Sequence, residues 1–274
     1  MNEYGVPEVF ASEAKGSLKA VYADIQNVLK VPIVHFIFRT LAGYEQFLTI
    51  GWKQIRPNML TFEAKRSAEI LRYPDLTVNV PSIDWSRYYE KRVLDRLRST
   101  VFMFNYVNPK LLLIASAWAE SLAVRPNKGQ KKVKGTLNPG ILSGLPSVDL
   151  VNILEAPPPI GELLLDITKK HRHYEPSSDY RAFAHYPQFL RLAWTHLRRF
   201  VGSAEYTLIR ERLLWQSVQQ TKSLPYPVTV DRAILEKYYS PAEIAGIMGI
   251  VSMFQNVLPD LIIDGEFFRR ILIT

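Results

Sequence analysis

Residues 39–56, Arg39-Thr-Leu-Ala-Gly-Tyr-Glu-Gln-Phe-Leu-Thr-Ile-Gly-Trp-Lys-Gln-Ile-Arg56, return 142 positions later as Arg181-Ala-Phe-Ala-His-Tyr-Pro-Gln-Phe-Leu-Arg-Leu-Ala-Trp-Thr-His-Leu-Arg198. The same offset carries Glu13-Ala14 onto Glu155-Ala156 and Asp24-Ile25 onto Asp166-Ile167, which makes 12 identities in 44 positions. A second block recurs at an offset of 150, where Val101, Met103, Phe104, Val107, Pro109 and Leu111 become Val251, Met253, Phe254, Val257, Pro259 and Leu261. A period near 140 is far longer than a solenoid or propeller unit, so it reads as a domain duplication with a pseudo-twofold interface. The expected units are a first repeat over residues 1–122, a linker over 123–146 and a second repeat over 147–274.

Helical spacing dominates both copies. Leu18, Val21, Ile25, Val28 and Leu29 fall on one face, and Leu163, Leu164 and Ile167 match them in the second copy. Leu41, Tyr44, Leu48, Trp52 and Ile55 predict a helix from about His35 to Arg56, repeated from Ser178 to Phe200. Asn108-Pro109 has the form of an N-cap with Pro at the first helical position, and Ser240-Pro-Ala-Glu243 that of a capping box. Only Leu76–Val80 and Val228–Val230 are strand-like, and prolines beside them make extended connectors the better reading. The fold class is therefore all-α. Arg125, Lys128, Lys131, Lys132 and Lys134, interrupted by Gly129, Gly135, Pro126 and Pro139, predict a solvated basic linker.

Composition narrows the chemistry. With 274 residues, 47% apolar and 22% charged, the chain can bury two ordinary cores. Zero cysteines exclude disulfides, thiolate metal sites and cysteine nucleophiles. The apolar run Leu111–Ala119 stops at Glu120, too short to cross a bilayer of roughly 30 Å. The N-terminal stretch lacks a basic start followed by an apolar segment, so a cytoplasmic protein with no membrane partner is expected. The charge of +8 is spread along the chain, which disfavours a nucleic-acid partner and suits attraction of a small anion. No Gly-rich phosphate loop, Gly-x-Ser-x-Gly elbow or His-Glu-x-x-His is present.

If residues kept in both copies hold the scaffold, function sits in the differences. His35-Phe36-Ile37 stands against Ser177-Ser178-Asp179, an apolar wall against a polar one, and Asn105 stands against Gln255. Ser177-Ser178-Asp179 also suits an ordinary helix start, where serine caps and the positive helix end favours a carboxylate. Asn105, a polar amide in an apolar helical stretch, needs a hydrogen-bond partner in any reading. His171-Arg-His173 with Glu175 looks like a metal cluster, but rings two residues apart on a helix diverge, so no metal site is expected.

Phe104-Asn105-Tyr106-Val107-Asn108-Pro109-Lys110, Tyr174–Leu190 and Lys30-Val31-Pro32 together resemble the group I 2-haloacid dehalogenases, which act on D and L substrates; the likeness spans nearly the whole chain. The resemblance implies hydrolytic release of halide from the α-carbon of a short 2-halocarboxylate, without metal or organic cofactor, and a homodimer. It implies that Asp179 deprotonates a water, that Asn105 helps position it, that inversion follows without a covalent intermediate, and that Ser178 belongs to the substrate pocket. Phe36, Ile33 and Phe254 are then the facing walls. This chain has Ile33 and Phe254 where the family has tryptophan and tyrosine, and His35 is a candidate replacement donor. Two other classes stay open on the residues alone, a non-catalytic carrier or sensor of small organic anions, and a structural helical protein with a filled interface.

Overall fold

Two αL turns frame the first elements of each half. The structure, a computed structural model, describes residues 7–129 and 132–273. Residues 1–6 of the N-terminal stretch and Lys131 of the basic cluster lie outside the described residues. Helix α1, Gly16–Leu29, stops at Lys30 (φ 68°), and its counterpart Pro158–His171 stops at Arg172 (φ 59°), where the cap N–H groups turn back onto helix carbonyls. Between these two helices run α2 (Phe36–Leu41), α3 (Glu45–Met59), α4 (Phe62–Arg72) and α5 (Lys91–Leu122). With Pro158–His171 as α6, the chain continues through α7 (Ser178–Phe183), α8 (Pro187–Phe200), α9 (Ala204–Thr221), α10 (Arg232–Leu235) and α11 (Pro241–Ile273). No strand forms among the described residues; Val228 makes only an isolated bridge, to Asn127.

The expected single helices from His35 and from Ser178 are each two. The chain breaks at Tyr44 (ψ 65°) and Tyr186 (ψ 68°). Each restart is fastened from the other half of the sequence, since the Phe47 N–H donates to Tyr239 Oη at 3.0 Å and the Phe189 N–H donates to Tyr89 Oη at 2.9 Å. A first-turn N–H has no partner inside its helix, so the phenols satisfy groups the break exposes. Asp24 of α1 clamps α3, accepting from Trp52 Nε1 at 2.7 Å and from Arg56 at 2.7 and 2.9 Å. Asp166 of α6 does the same for α8 through Trp194 at 2.7 Å and Arg198 at 2.8 and 3.0 Å.

α5 and α11 are the central pair and pack along one another. The expected helix start at Asn108-Pro109 is corrected here, because both residues lie inside α5. Proline costs a helix interior one i→i−4 bond, and the tertiary packing of so long an apolar helix outweighs that loss. Pro259 sits likewise within α11. The capping box at the head of α11 forms as expected, with Ser240 N–H and Oγ donating to Glu243 Oε2 at 2.8 and 2.7 Å. α11 is long and apolar enough by length and composition to cross a membrane; in this fold it is a core helix, with Asp260, Asp264 and Glu266 buried along it. The buried apolar side chains of the described residues form one continuous core.

The described residues of 123–146 form no helix, and they are tied to the first half of the chain. Leu137 N–H donates to Leu60 O at 2.7 Å, Gly140 N–H to Asn27 O at 2.8 Å and Leu142 N–H to Lys30 O at 3.1 Å. Gly129 (φ +63°) is required where it stands, because a Cβ there would lie 2.3 Å from the backbone nitrogen of Pro227.

Candidate active site

The starts of α2 and α7 meet. His35, Phe36 and Ile37 from one and Ser177, Ser178 and Asp179 from the other line a single cavity of about 40 Å³, roofed by Tyr174 and floored by Asn108 and Leu111 of α5 and Phe254, Val257, Leu258 and Leu261 of α11. That volume exceeds the roughly 10–15 Å³ needed by one water. Behind the two helix starts, Arg39 and Arg181 share Glu8, whose carboxylate accepts from Arg39 Nε at 2.7 Å and from Arg181 Nη1 at 3.4 Å. Arg39 also donates to Val34 O at 2.5 Å and Arg181 to Val151 O at 3.0 Å, so each helix start is fixed by a buried guanidinium.

Asp179 is 5% exposed and accepts from Asn108 Nδ2 at 2.7 Å. Burial pushes its carboxyl up to about 7; the charge of Asp264 acts in the same direction, and the Asn108 hydrogen bond opposes both. A carboxylate poised there is a competent general base at neutral pH. Asn108 Oδ1 is buried without a partner, as are Ser177 Oγ and both ring nitrogens of His35. Burial, then the charge of Arg39, holds His35 down to about 3, so its imidazole is neutral, with one N–H to donate and one nitrogen to accept. Ser178 is already engaged, accepting from Arg39 Nη2 at 3.2 Å. Phe36 and Phe254 close the apolar side edge to face at 5.2 Å.

Behind Asp179 lies a second polar cluster. Asp264 accepts from the hydroxyls of Tyr180 and Tyr206, the latter at 3.1 Å, and His171 Nε2 lies 2.9 Å from its carboxylate. Burial works against a charged His171, but Asp264 outweighs it and raises the pKa. His173 Nε2 pairs with Asp260 at 3.0 Å; burial dominates there and lowers the pKa. The two imidazoles stack at 5.0 Å and 30°, contrary to the expected divergence, because α6 ends at His171 and Arg172 turns left-handed between them. Among the described residues no group of three or more His, Asp or Glu is placed to hold a metal.

Two expected site residues lie elsewhere. Asn105 is one helical turn before Asn108, and its Oδ1 accepts from buried Arg72 Nε at 2.8 Å, outside the cavity. Ile33 is buried in the core ahead of α2, and Ile37, a turn later, takes the wall position. His35, Phe36, Ser178, Asp179 and Phe254 are brought together. Gln255, the other half of the second mismatch, donates to Ser116 Oγ at 3.3 Å and does not line the cavity either. The residue missed was Asn108. At the 150-residue offset it stands against Leu258, and both line the cavity, so the polar-against-apolar mismatch that singled out Asp179 against Ile37 marks Asn108 as well.

The model of the family described as halocarboxylic acid dehydrogenase DehI matches residues 32–180. The chain belongs to this family. The DehI match contains His35, Asn108 and Asp179. Across 94% of the chain and 90% of its own length, a configuration-inverting 2-haloacid dehalogenase of Alcaligenes xylosoxydans xylosoxydans is 28% identical. One of Pseudomonas sp. (strain 113) is 26% identical over 93% and 87%, and an (R)-2-haloacid dehalogenase of Pseudomonas putida is 25% identical over 97% and 91%. A D-2-haloacid dehalogenase solved with L-LA superposes with a TM-score of 0.91 at 22% identity, over 99% of this chain and 98% of that one. A mutant solved with D-2-CPA gives 0.88 at 22%, over 99% and 97%. These two likenesses are of fold.

Proposed function

We propose that this DehI-family chain is a hydrolytic dehalogenase of short 2-halocarboxylates. The observation that carries the proposal is a base-poised, buried Asp179 held by Asn108 at 2.7 Å in a cavity with orphaned polar atoms on both sides. A water between Asp179 and Asn108 Oδ1 donates one hydrogen to each. Its oxygen attacks the α-carbon from behind, the carbon–halogen bond breaks with its electron pair leaving as halide, and the proton passes to Asp179 and then to solvent. Configuration inverts, as the names of the first two relatives state for those enzymes. Water positioning falls to Asn108, and Asn105 braces α5 through Arg72. The neutral N–H of His35 donates to the substrate carboxylate, and Ile37, Phe36 and Phe254 contact its apolar side.

The same reading makes the fold a fused pair, with repeats over 1–122 and 147–274, linker 123–146, and further pairing into a homodimer. The reciprocal Tyr239–Phe47 and Tyr89–Phe189 bonds and the twin Asp24 and Asp166 clamps support the duplication. The test is halide release from D- and L-2-chloropropionate by the native protein and by Asp179→Asn. Release lost in the variant supports the proposal; no release from either enantiomer by the native protein overturns it and leaves a small-anion binding protein. Single turnover in oxygen-18 water should label the product hydroxyl at once, whereas label entering Asp179 first would mean an ester intermediate.

A further inference from the structure

Beside the cavity runs an open surface groove of about 730 Å³, between the αL turn that ends α6, the first half of α9 and the outer face of α11. It shares four residues with the cavity: His173, Tyr174, Met253 and Val257. Those side chains alone belong to both linings. Tyr174 is 66% exposed, and His173 is held in place by Asp260, which is paired on its other oxygen with Arg210 at 3.0 Å. Lys170 and Arg172 stand on the rim, and among the described residues neither side chain makes an ion pair or hydrogen bond. The one carboxylate in the lining, Asp260, is thus neutralised within the groove, and two free cations remain.

We infer that this groove is the anion vestibule of the active site, through which a short 2-halocarboxylate enters past Tyr174 and the halide leaves, with Lys170 and Arg172 as the steering charges. The inference rests on the function proposed above for the cavity. A cleft lined by one sign of charge raises the local concentration and association rate of a counter-ion, and added salt removes the effect. Lys170 and Arg172 line the groove and not the cavity, so reversing their charge leaves the chemical step untouched.

The test compares K170E/R172E with K132E/K134E, which makes the same charge change on the distant linker. At low ionic strength kcat/KM for D-2-chloropropionate should fall roughly three- to tenfold in the groove variant alone, with kcat unchanged and the difference vanishing in high salt. Equal losses in both variants, or none in the groove variant, overturn the vestibule. In parallel, the association rate of propionate, which has no halide to lose, is read from exchange broadening of its methyl resonance. If the native protein releases no halide but propionate association still depends on the rim cations, the dehalogenase reading fails and the vestibule stands. If halide is released and neither rate depends on them, the vestibule alone fails.

Discussion

A carboxylate as deeply buried as Asp179 opposes folding whenever it is charged. Its pKa is raised from 3.8 to about 7, so the folded state binds the proton more tightly than the unfolded state. The contribution is favourable below pH 4 and is lost as pH rises through 7. Asp179→Asn should therefore be more stable than the native protein at pH 8, by a few kcal/mol at about 1.4 kcal/mol per pKa unit, and nearly equal to it at pH 4. Urea midpoints at the two pH values check this, while kcat/KM of the native enzyme should rise with pH through an apparent pKa near 7. His35→Leu removes a donor to a charged group, worth about 1.5–3 kcal/mol, so KM should rise at least tenfold with kcat little changed. Rescue of KM by His35→Gln would separate donation from packing. The place of Asp179 in the cavity was legible because Ile37 stands against it at the 142-residue offset. Asn108 carries the same signal, standing against Leu258 at the 150-residue offset, but Asn105 is a competing amide three residues earlier on nearly the same face, and only the fold shows that Arg72 takes Asn105.

At the scale of elements, the twin clamps respond to acid in the opposite sense to Asp179. Burial pushes Asp24 up, but the Arg56 and Trp52 bonds outweigh it and hold the pKa below 3.8; at Asp166 the Arg198 bond leads in the same direction. Their stabilisation is present above pH 4 and fades as pH falls below it. Asp24→Asn and Asp166→Asn should each lower stability at neutral pH by about 1 kcal/mol, discounted for partial exposure, with the deficit shrinking below pH 4 in denaturation midpoints. Helix periodicity placed α1, α3, α6 and α8 in the sequence. It missed the breaks at Tyr44 and Tyr186, because the partners that fasten the restarts, Tyr239 and Tyr89, lie far along the chain. It also took Pro109 for a helix start, because local proline chemistry weighs more in a sequence than the packing of α5 against α11.

For the whole molecule, the all-helical class was readable from spacing, whereas the single continuous core was not: composition bounds how much can be buried, and only the meeting of α5 with α11 decides that it is buried together. A chain ending at residue 146 should fail to fold by itself, giving weak near-ultraviolet circular dichroism and binding a dye for exposed apolar surface. Adding residues 147–274 in trans should restore the spectrum and, if the proposed site is right, halide release. The pairing of α5 with α11 also sets a schedule for synthesis. At roughly 5–20 residues per second, the interval between the end of α5 leaving the ribosome and the end of α11 following it is on the order of ten to thirty seconds. During that interval the face of α5 that will meet α11 stays uncovered, although α3 and α4 are already made to pack on its other sides, so a nascent chain gains from chaperones, or from pausing, for as long as its longest helix remains unmade.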